Sequence, residues 1–346
     1  MAAEADVAAS RLSRGLRRLA QNTAGLWAPP AVPRRPIGSI SPVAFVREHV
    51  AASQPVVLTD LPPGEWPCLR RWSDEYLLDQ VGDLEVSVNL TPGGLGDFVN
   101  EDGLFVKPLE ERMAFRDFWA RLQHSGGGPG RAAQDGPEVP YLSRQNDSLR
   151  EELPPLLGDV PPAVALGVEA FGNEPEAVNL WVGDSRAVSS CHMDHYENLY
   201  VVVRGEKVFT LLPPTAAPFL CERRCQPAHF ERRRGSDGGG GCTLEAVADA
   251  PPAPPVPWVP VDVASPDIQA FPEFANAAAV QVRVRPGEML YLPAMWYHQV
   301  AQQGVTVAVN YWHDMQFGQA YISHQFLRDV TGLNDHEEDE EEGDPT

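Results

Sequence analysis

Three residues in this chain, His192, Asp194 and His298, could together perform one kind of chemistry. Two imidazoles and one carboxylate bind a divalent ion such as Fe(II) on one side and leave positions open for a chelating cosubstrate and oxygen. Side chains two apart on a strand project from the same face, so a strand carrying His192 and Asp194 would aim both at one ion. Spacing alone does not choose them, because His195 with Glu197 and His336 with Glu338 repeat it. His336 falls in an acidic end, and His195 has the opposite parity to His192 and should face the other way. Lys207 opens the apolar run Gly205-Glu206-Lys207-Val208-Phe209, where a buried ammonium is costly unless an anion meets it. A dicarboxylate ligand would be such an anion; a strand-edge lysine with its head in solvent is the plainer reading.

The elements that must position these groups are strands. After Ala177 the pattern alternates between β-formers and turns, over Val178 to Val182, Leu199 to Val203, Lys207 to Leu212, Ala279 to Arg285, Met289 to Leu292, Tyr297 to Ala301 and Val305 to His313. Turns are expected at Gly205 and at Pro286-Gly287. Many short strands with such turns predict a mainly β fold with flanking helices, a double-stranded β-helix of jelly-roll, cupin-like type. Helices are predicted at Pro42 to Ala52, Asp74 to Val81 and Phe115 to Gln123, with β runs at Pro55 to Thr59 and Leu84 to Leu90, and a closing helix at Gln316 to Thr331. Its apolar residues Phe317, Tyr321, Phe326 and Leu327 are expected to pack on the core in preference to a second copy in a homodimer.

The expected organisation is a helical or flexible segment 1–34, an α+β part 35–124, a Gly-rich loop 125–137, a catalytic domain 138–332 with a long loop near 231–257, and an acidic, disordered tail 333–346. The hydrophobic fraction of 43%, with 8 Trp, 8 Tyr and 13 Phe, favours a globular over a disordered chain. No run of about 18 apolar residues predicts a membrane span, and the Arg-rich start, which also holds Glu4 and Asp6, reads as an amphipathic helix rather than a presequence. Five cysteines without paired zinc spacing fit a reducing cytoplasm or nucleus. The formal net charge is −21, and the body stays acidic even without the eight acids of the tail. That argues against phosphate-backbone binding and allows a basic protein partner, solubility being the plainer reading.

The segment Ser189-Ser190-Cys191-His192-Met193-Asp194-His195-Tyr196-Glu197-Asn198-Leu199-Tyr200, the following Gly205-Glu206-Lys207, and Gly287-Glu288-Met289-Leu290-Tyr291-Leu292-Pro293-Ala294-Met295-Trp296-Tyr297-His298 closely resemble the JmjC-domain hydroxylases, in particular their small lysyl hydroxylase branch. The resemblance extends through Asn179-Leu180-Trp181, Val256 to Pro260 and Val309-Asn310-Tyr311-Trp312, over about residues 35 to 332. It implies that His192, Asp194 and His298 hold Fe(II) and that Lys207 pairs with the far carboxylate of the cosubstrate 2-oxoglutarate, helped by Tyr141. It implies further that Asn198 and Asn310 line that pocket and that Ser189 stands where relatives often carry threonine. Fe(II), 2-oxoglutarate and O2 would then hydroxylate a protein, releasing succinate and CO2. The implied target is a lysyl residue, oxidised at C3, in a developmentally regulated GTP-binding protein.

Other readings stay open. A histone lysine demethylase lacks support from any chromatin-reader module, and an Arg- or Lys-directed peptidase lacks a zinc-protease or nucleophile motif. A cupin-like metal-binding protein could use Glu197 in place of Asp194 but would have no need of Lys207. A non-catalytic interaction protein would have no reason to keep all three ligands.

Overall fold

The computed structural model describes residues 2–124, 138–234, 242–250 and 253–334. The expected Gly-rich loop 125–137, the tip at 235–241 and nearly all of the acidic tail lie outside the described residues.

Two long antiparallel strands, Tyr196–Leu212 and Tyr297–Asp314, run side by side from the pair Tyr196↔Asp314 to the pair Leu212↔Tyr297. Over their first and last parts respectively they are flanked by Met289–Leu292 and Ala177–Gly183. Over their other halves they are flanked by Val280–Val284 and Val188–Met193. Each long strand therefore serves both faces of a jelly roll, which is the double-stranded β-helix expected from the alternating pattern. Tyr200, Val202, Phe209, Leu211, Leu290 and Val300 fill the space between the faces.

The expected turn at Gly205 is instead a bulge within one strand. Register slips between Val202, Arg204 and Glu206, so that Val202 opposes Ala308 while Lys207 opposes Gln302. Inward parity changes there from even (Tyr200, Val202) to odd (Phe209, Leu211). Gly205 has φ +70°, and a Cβ on it would lie 2.7 Å from the Val305 carbonyl oxygen and 2.4 Å from Thr306 Oγ1. Only glycine fits this close approach. Tyr297 to Ala301 and Val305 to His313 likewise join into one strand.

The long loop expected near 231–257 also takes another form. Pro227–Arg234 and Cys242–Ala248 make an antiparallel hairpin, and its first strand adds in parallel to Phe105–Lys107. Ala228, Phe230 and Leu244 are buried, and Arg232, opposite Leu244 on the same face, pairs with Glu138 and Glu111. The run Arg232-Arg233-Arg234 hid this strand in the composition. Val256–Trp258, within the Pro-rich stretch, pairs with Arg223–Cys225.

The helices at Asp74–Val81 and Phe115–His124 form as expected, and Ser73 caps the first by accepting from the Tyr76 N–H. The segment from Pro42 begins as an α-helix, Pro42–Phe45, and continues as a wider turn, Val46–Val50. The closing helix spans Gln319–Val330, but its expected core contacts are only partly made. Phe317 and Phe326 are 62% and 65% exposed, whereas Tyr321 and Leu327 are half-buried. The helix docks instead through buried His324 and through Arg328, which forms two hydrogen bonds to Glu222 at 2.7 and 3.0 Å. No described helix is long and apolar enough to cross a membrane.

Candidate metal centre

The antiparallel pairing of Val188–Met193 with Tyr297–Asp314 puts His192 directly opposite His298. Their ring centroids are 4.3 Å apart, and Asp194 Oδ2 lies 3.9 Å from His192 Nε2 and 3.5 Å from His298 Nε2. One ligand atom from each residue falls within 4.8 Å of the others. His192 Nδ1 donates to the Ser190 carbonyl at 2.7 Å, and His298 Nδ1 donates to the Trp296 carbonyl at 2.9 Å. Each bond fixes the tautomer that leaves an Nε2 lone pair free for a metal. Burial, with His192 adding to it, pushes the His298 imidazole down to about 4, so it is neutral at physiological pH.

Asp194 is one residue beyond the strand expected to carry it. Its position comes instead from its own carbonyl, which accepts the Met295 N–H at 2.8 Å. His195 turns away, as its parity implied, and packs against Phe317 and Tyr321. Glu197 also stays apart from the triad, accepting from the Tyr291 hydroxyl at 2.8 Å and the Ala294 N–H at 3.2 Å. That engagement removes it from the set of ligands considered for a cupin-like alternative.

Lys207 is 1% exposed, with Nζ 2.9 Å from the Tyr141 hydroxyl and 2.5 Å from Gln302 Oε1. No carboxylate pairs with it among the described residues, and burial lowers its pKa to about 7. A narrow inner cavity of about 20 Å³ touches all three triad residues and is lined by Tyr141, Trp181, Ser189, Asn198, Tyr200 and Trp312. Asn310 Nδ2 donates to Asn198 Oδ1 at 3.2 Å, while Asn310 Oδ1 accepts from Trp181 Nε1 at 2.9 Å. Burial raises the pKa of the Tyr141 phenol, with Ser189 acting against that rise.

The sequence reading assigned no role to Tyr200 or Gln302. Tyr200 carried a signal, since it lies two residues from Asn198 and so on its face. Gln302 became visible only through its pairing with Lys207 across the sheet. The Tyr200 hydroxyl and Trp312 Nε1 are buried without a hydrogen-bond partner. Unpaired donors lining the cavity that the triad touches fit a bound anion, and the imidazole and carboxylate set fits a divalent metal. Lys207 uses two of its ammonium donors on Tyr141 and Gln302, which leaves a third for a carboxylate.

A family model described as a cupin-like domain matches residues 42–319. The human protein named bifunctional peptidase and (3S)-lysyl hydroxylase JMJD7 is 39% identical over 84% of this chain and 87% of its own length. This chain belongs to the cupin-like JmjC family. Further JmjC relatives are JmjC domain-containing protein E of Dictyostelium discoideum, 37% identical over 83% of this chain and 85% of that protein, and lysine-specific demethylase JMJ32 of Arabidopsis thaliana, 39% identical over 84% of each. The JmjC assignment agrees with the jelly roll and with the clustered His192, Asp194 and His298.

Proposed function

We propose that this protein is an Fe(II)- and 2-oxoglutarate-dependent protein hydroxylase that oxidises C3 of a lysyl residue in a developmentally regulated GTP-binding protein. The observation that supports the cosubstrate is Lys207, a buried amine with no carboxylate partner, hydrogen-bonded to Tyr141, which lines the inner cavity that the triad also lines. A metal-binding protein without a dicarboxylate ligand would have no use for a lysine whose charged form burial disfavours. The lysyl target is supported by the similarity to the human hydroxylase and by the acidic body, which attracts a cation.

His192, Asp194 and His298 would hold the metal, and the Ser190 and Trp296 carbonyls keep both imidazoles oriented. Bound Fe(II) supplies oxygen activation coupled to decarboxylation of 2-oxoglutarate, one oxygen atom leaving in succinate and the other entering the substrate C–H bond as hydroxyl, with release of CO2. Lys207 and Tyr141 anchor the far carboxylate, and the Asn198–Asn310–Trp181 chain holds the Trp181 ring beside Tyr141. Trp181 and Phe209 supply apolar surface that excludes water from the reacting groups.

The test is anaerobic binding of Fe(II) and 2-oxoglutarate, then exposure of lysyl peptides to air with mass spectrometry and succinate measurement. A gain of one oxygen matched by succinate supports the proposal. The Arabidopsis relative's name favours a second reading, demethylation of a histone lysine. Loss of a methyl group from a methylated histone peptide, with the unmethylated lysyl peptide untouched, would establish that reading instead.

A further inference from the structure

We propose that Asp97 is the anion that receives the cationic end of the substrate side chain, in the outer cavity that opens onto His192. This rests on the hydroxylase reading for the chemistry at the metal, and adds the residue that selects a cation.

The outer cavity has a volume of about 370 Å³, and Asp97, Ser190, His192 and Trp258 lie on its wall. A second cavity of about 550 Å³ shares His192 and Trp258 with it and continues toward Glu222 and Arg328. Four acids line the two: Asp97, Glu110, Asp194 and Glu222. Asp194 belongs to the triad, and Arg328 neutralises Glu222 through two hydrogen bonds. Glu110 is exposed, where water satisfies it. Asp97 is half-buried, and its carboxylate has no hydrogen bond or ion pair among the described residues. Burial disfavours the Asp97 carboxylate, while His192 and Lys107 act favourably on it; His192 belongs to the triad, and Lys107 is itself held by Asp249 at 2.7 Å. A carboxylate withdrawn from water without a partner is costly, and an arriving cation offsets that cost.

The position of Asp97 is built rather than incidental. Leu95–Gly96 pairs in parallel with Val188 and Ser189, which brings Asp97 beside Ser190. The Ser190 hydroxyl donates to the Asp97 carbonyl and accepts from Trp258 Nε1 at 3.0 Å, while the Ser190 carbonyl accepts from His192 Nδ1. One serine thus ties the Asp97 backbone, the Trp258 wall and a metal ligand together. The Trp258 ring lies parallel to that of His192, 7° apart in plane with centroids 6.3 Å apart. Asp97 and the metal ligand His192 line the same outer cavity, so a lysine with C3 beside the triad can extend its ammonium along that wall toward Asp97.

Asp97→Asn isolates the charge. Asp97 sits at φ +50°, in the left-handed region that asparagine also tolerates. The experiment measures binding of a lysyl peptide, and of its copy with norleucine in place of lysine, to the full-length protein loaded with Mn(II) and 2-oxoglutarate, so that no turnover intervenes. The wild type should prefer lysine by at least ~10-fold, and Asp97→Asn should reduce that preference to within ~3-fold. Its affinities for Mn(II) and 2-oxoglutarate should stay unchanged, which a general loss of folding would not allow. A variant that keeps the full preference, or a wild type that binds both peptides equally, overturns the assignment. Preferential binding of the lysyl peptide that is lost in Asp97→Asn, but with no oxygen gained in air under Fe(II), would support the cation site while sinking the hydroxylase reading.

Discussion

His192 and His298 are register partners on neighbouring antiparallel strands, and each donates Nδ1 to the carbonyl two residues before it. The sheet therefore fixes both rings before any metal arrives, and Asp194 completes the set from beyond the strand end.

Asp194→Ala should abolish Fe(II)-dependent succinate formation, by more than ~100-fold, since removal of an anionic ligand exceeds the effect of losing an outer partner. The melting temperature should change little, because the carboxylate takes no part in core packing. His195→Ala should retain most activity, its ring lying against Phe317 and Tyr321. If His195→Ala loses iron and Asp194→Ala keeps it, the ligand assignment is wrong.

Lys207→Ala should weaken 2-oxoglutarate binding far more than metal binding. Truncating one member of a buried charged pair typically costs about 2–5 kcal/mol, so the cosubstrate dissociation constant should rise more than ~10-fold. Calorimetric titration with Mn(II) and then with 2-oxoglutarate separates the two affinities. Equal loss of both would assign Lys207 a structural role.

The same lysine predicts a pH dependence. Burial lowers its pKa to about 7 from its ordinary value of 10.5. Between those values the unfolded chain binds the proton and the folded, ligand-free chain does not, so this group's contribution to stability rises with pH across that window. A bound carboxylate favours the ammonium, so 2-oxoglutarate binding takes up a proton above about pH 7 and its affinity falls as pH rises. Calorimetry at about pH 8.5 in buffers of different ionisation enthalpy should register that uptake. Buffer-independent heats would contradict it.

Gly205→Ala should destabilise the fold by about 1–3 kcal/mol, the usual range for a residue forced into a sparsely populated backbone region. The added methyl would also press on the Val305 carbonyl and Thr306 Oγ1. Because the bulge sets which face Lys207 occupies, 2-oxoglutarate affinity should fall with stability. Thermal melting and ligand titration check the two effects, and unchanged affinity in the folded variant would show that the register survives without the glycine.

The strand alternation was enough to indicate a β fold, and the residue types of His192, Asp194 and His298 offered a metal-binding triad that the JmjC resemblance singled out. These features are local: period-two alternation and ligand chemistry are written along the chain. Tertiary structure alone decided the rest. The bulge at Gly205 reverses inward parity, so the even-numbered Tyr200 and the odd-numbered Lys207 serve one interior, which no uniform alternation can reveal. The hairpin Pro227–Arg234 with Cys242–Ala248 lay hidden beneath arginine and glycine composition because its acidic partners, Glu111 and Glu138, are far away in sequence. Asp97 acquired meaning only when sheet pairing brought it beside Ser190, 93 residues away, since an isolated aspartate says nothing about which charges surround it.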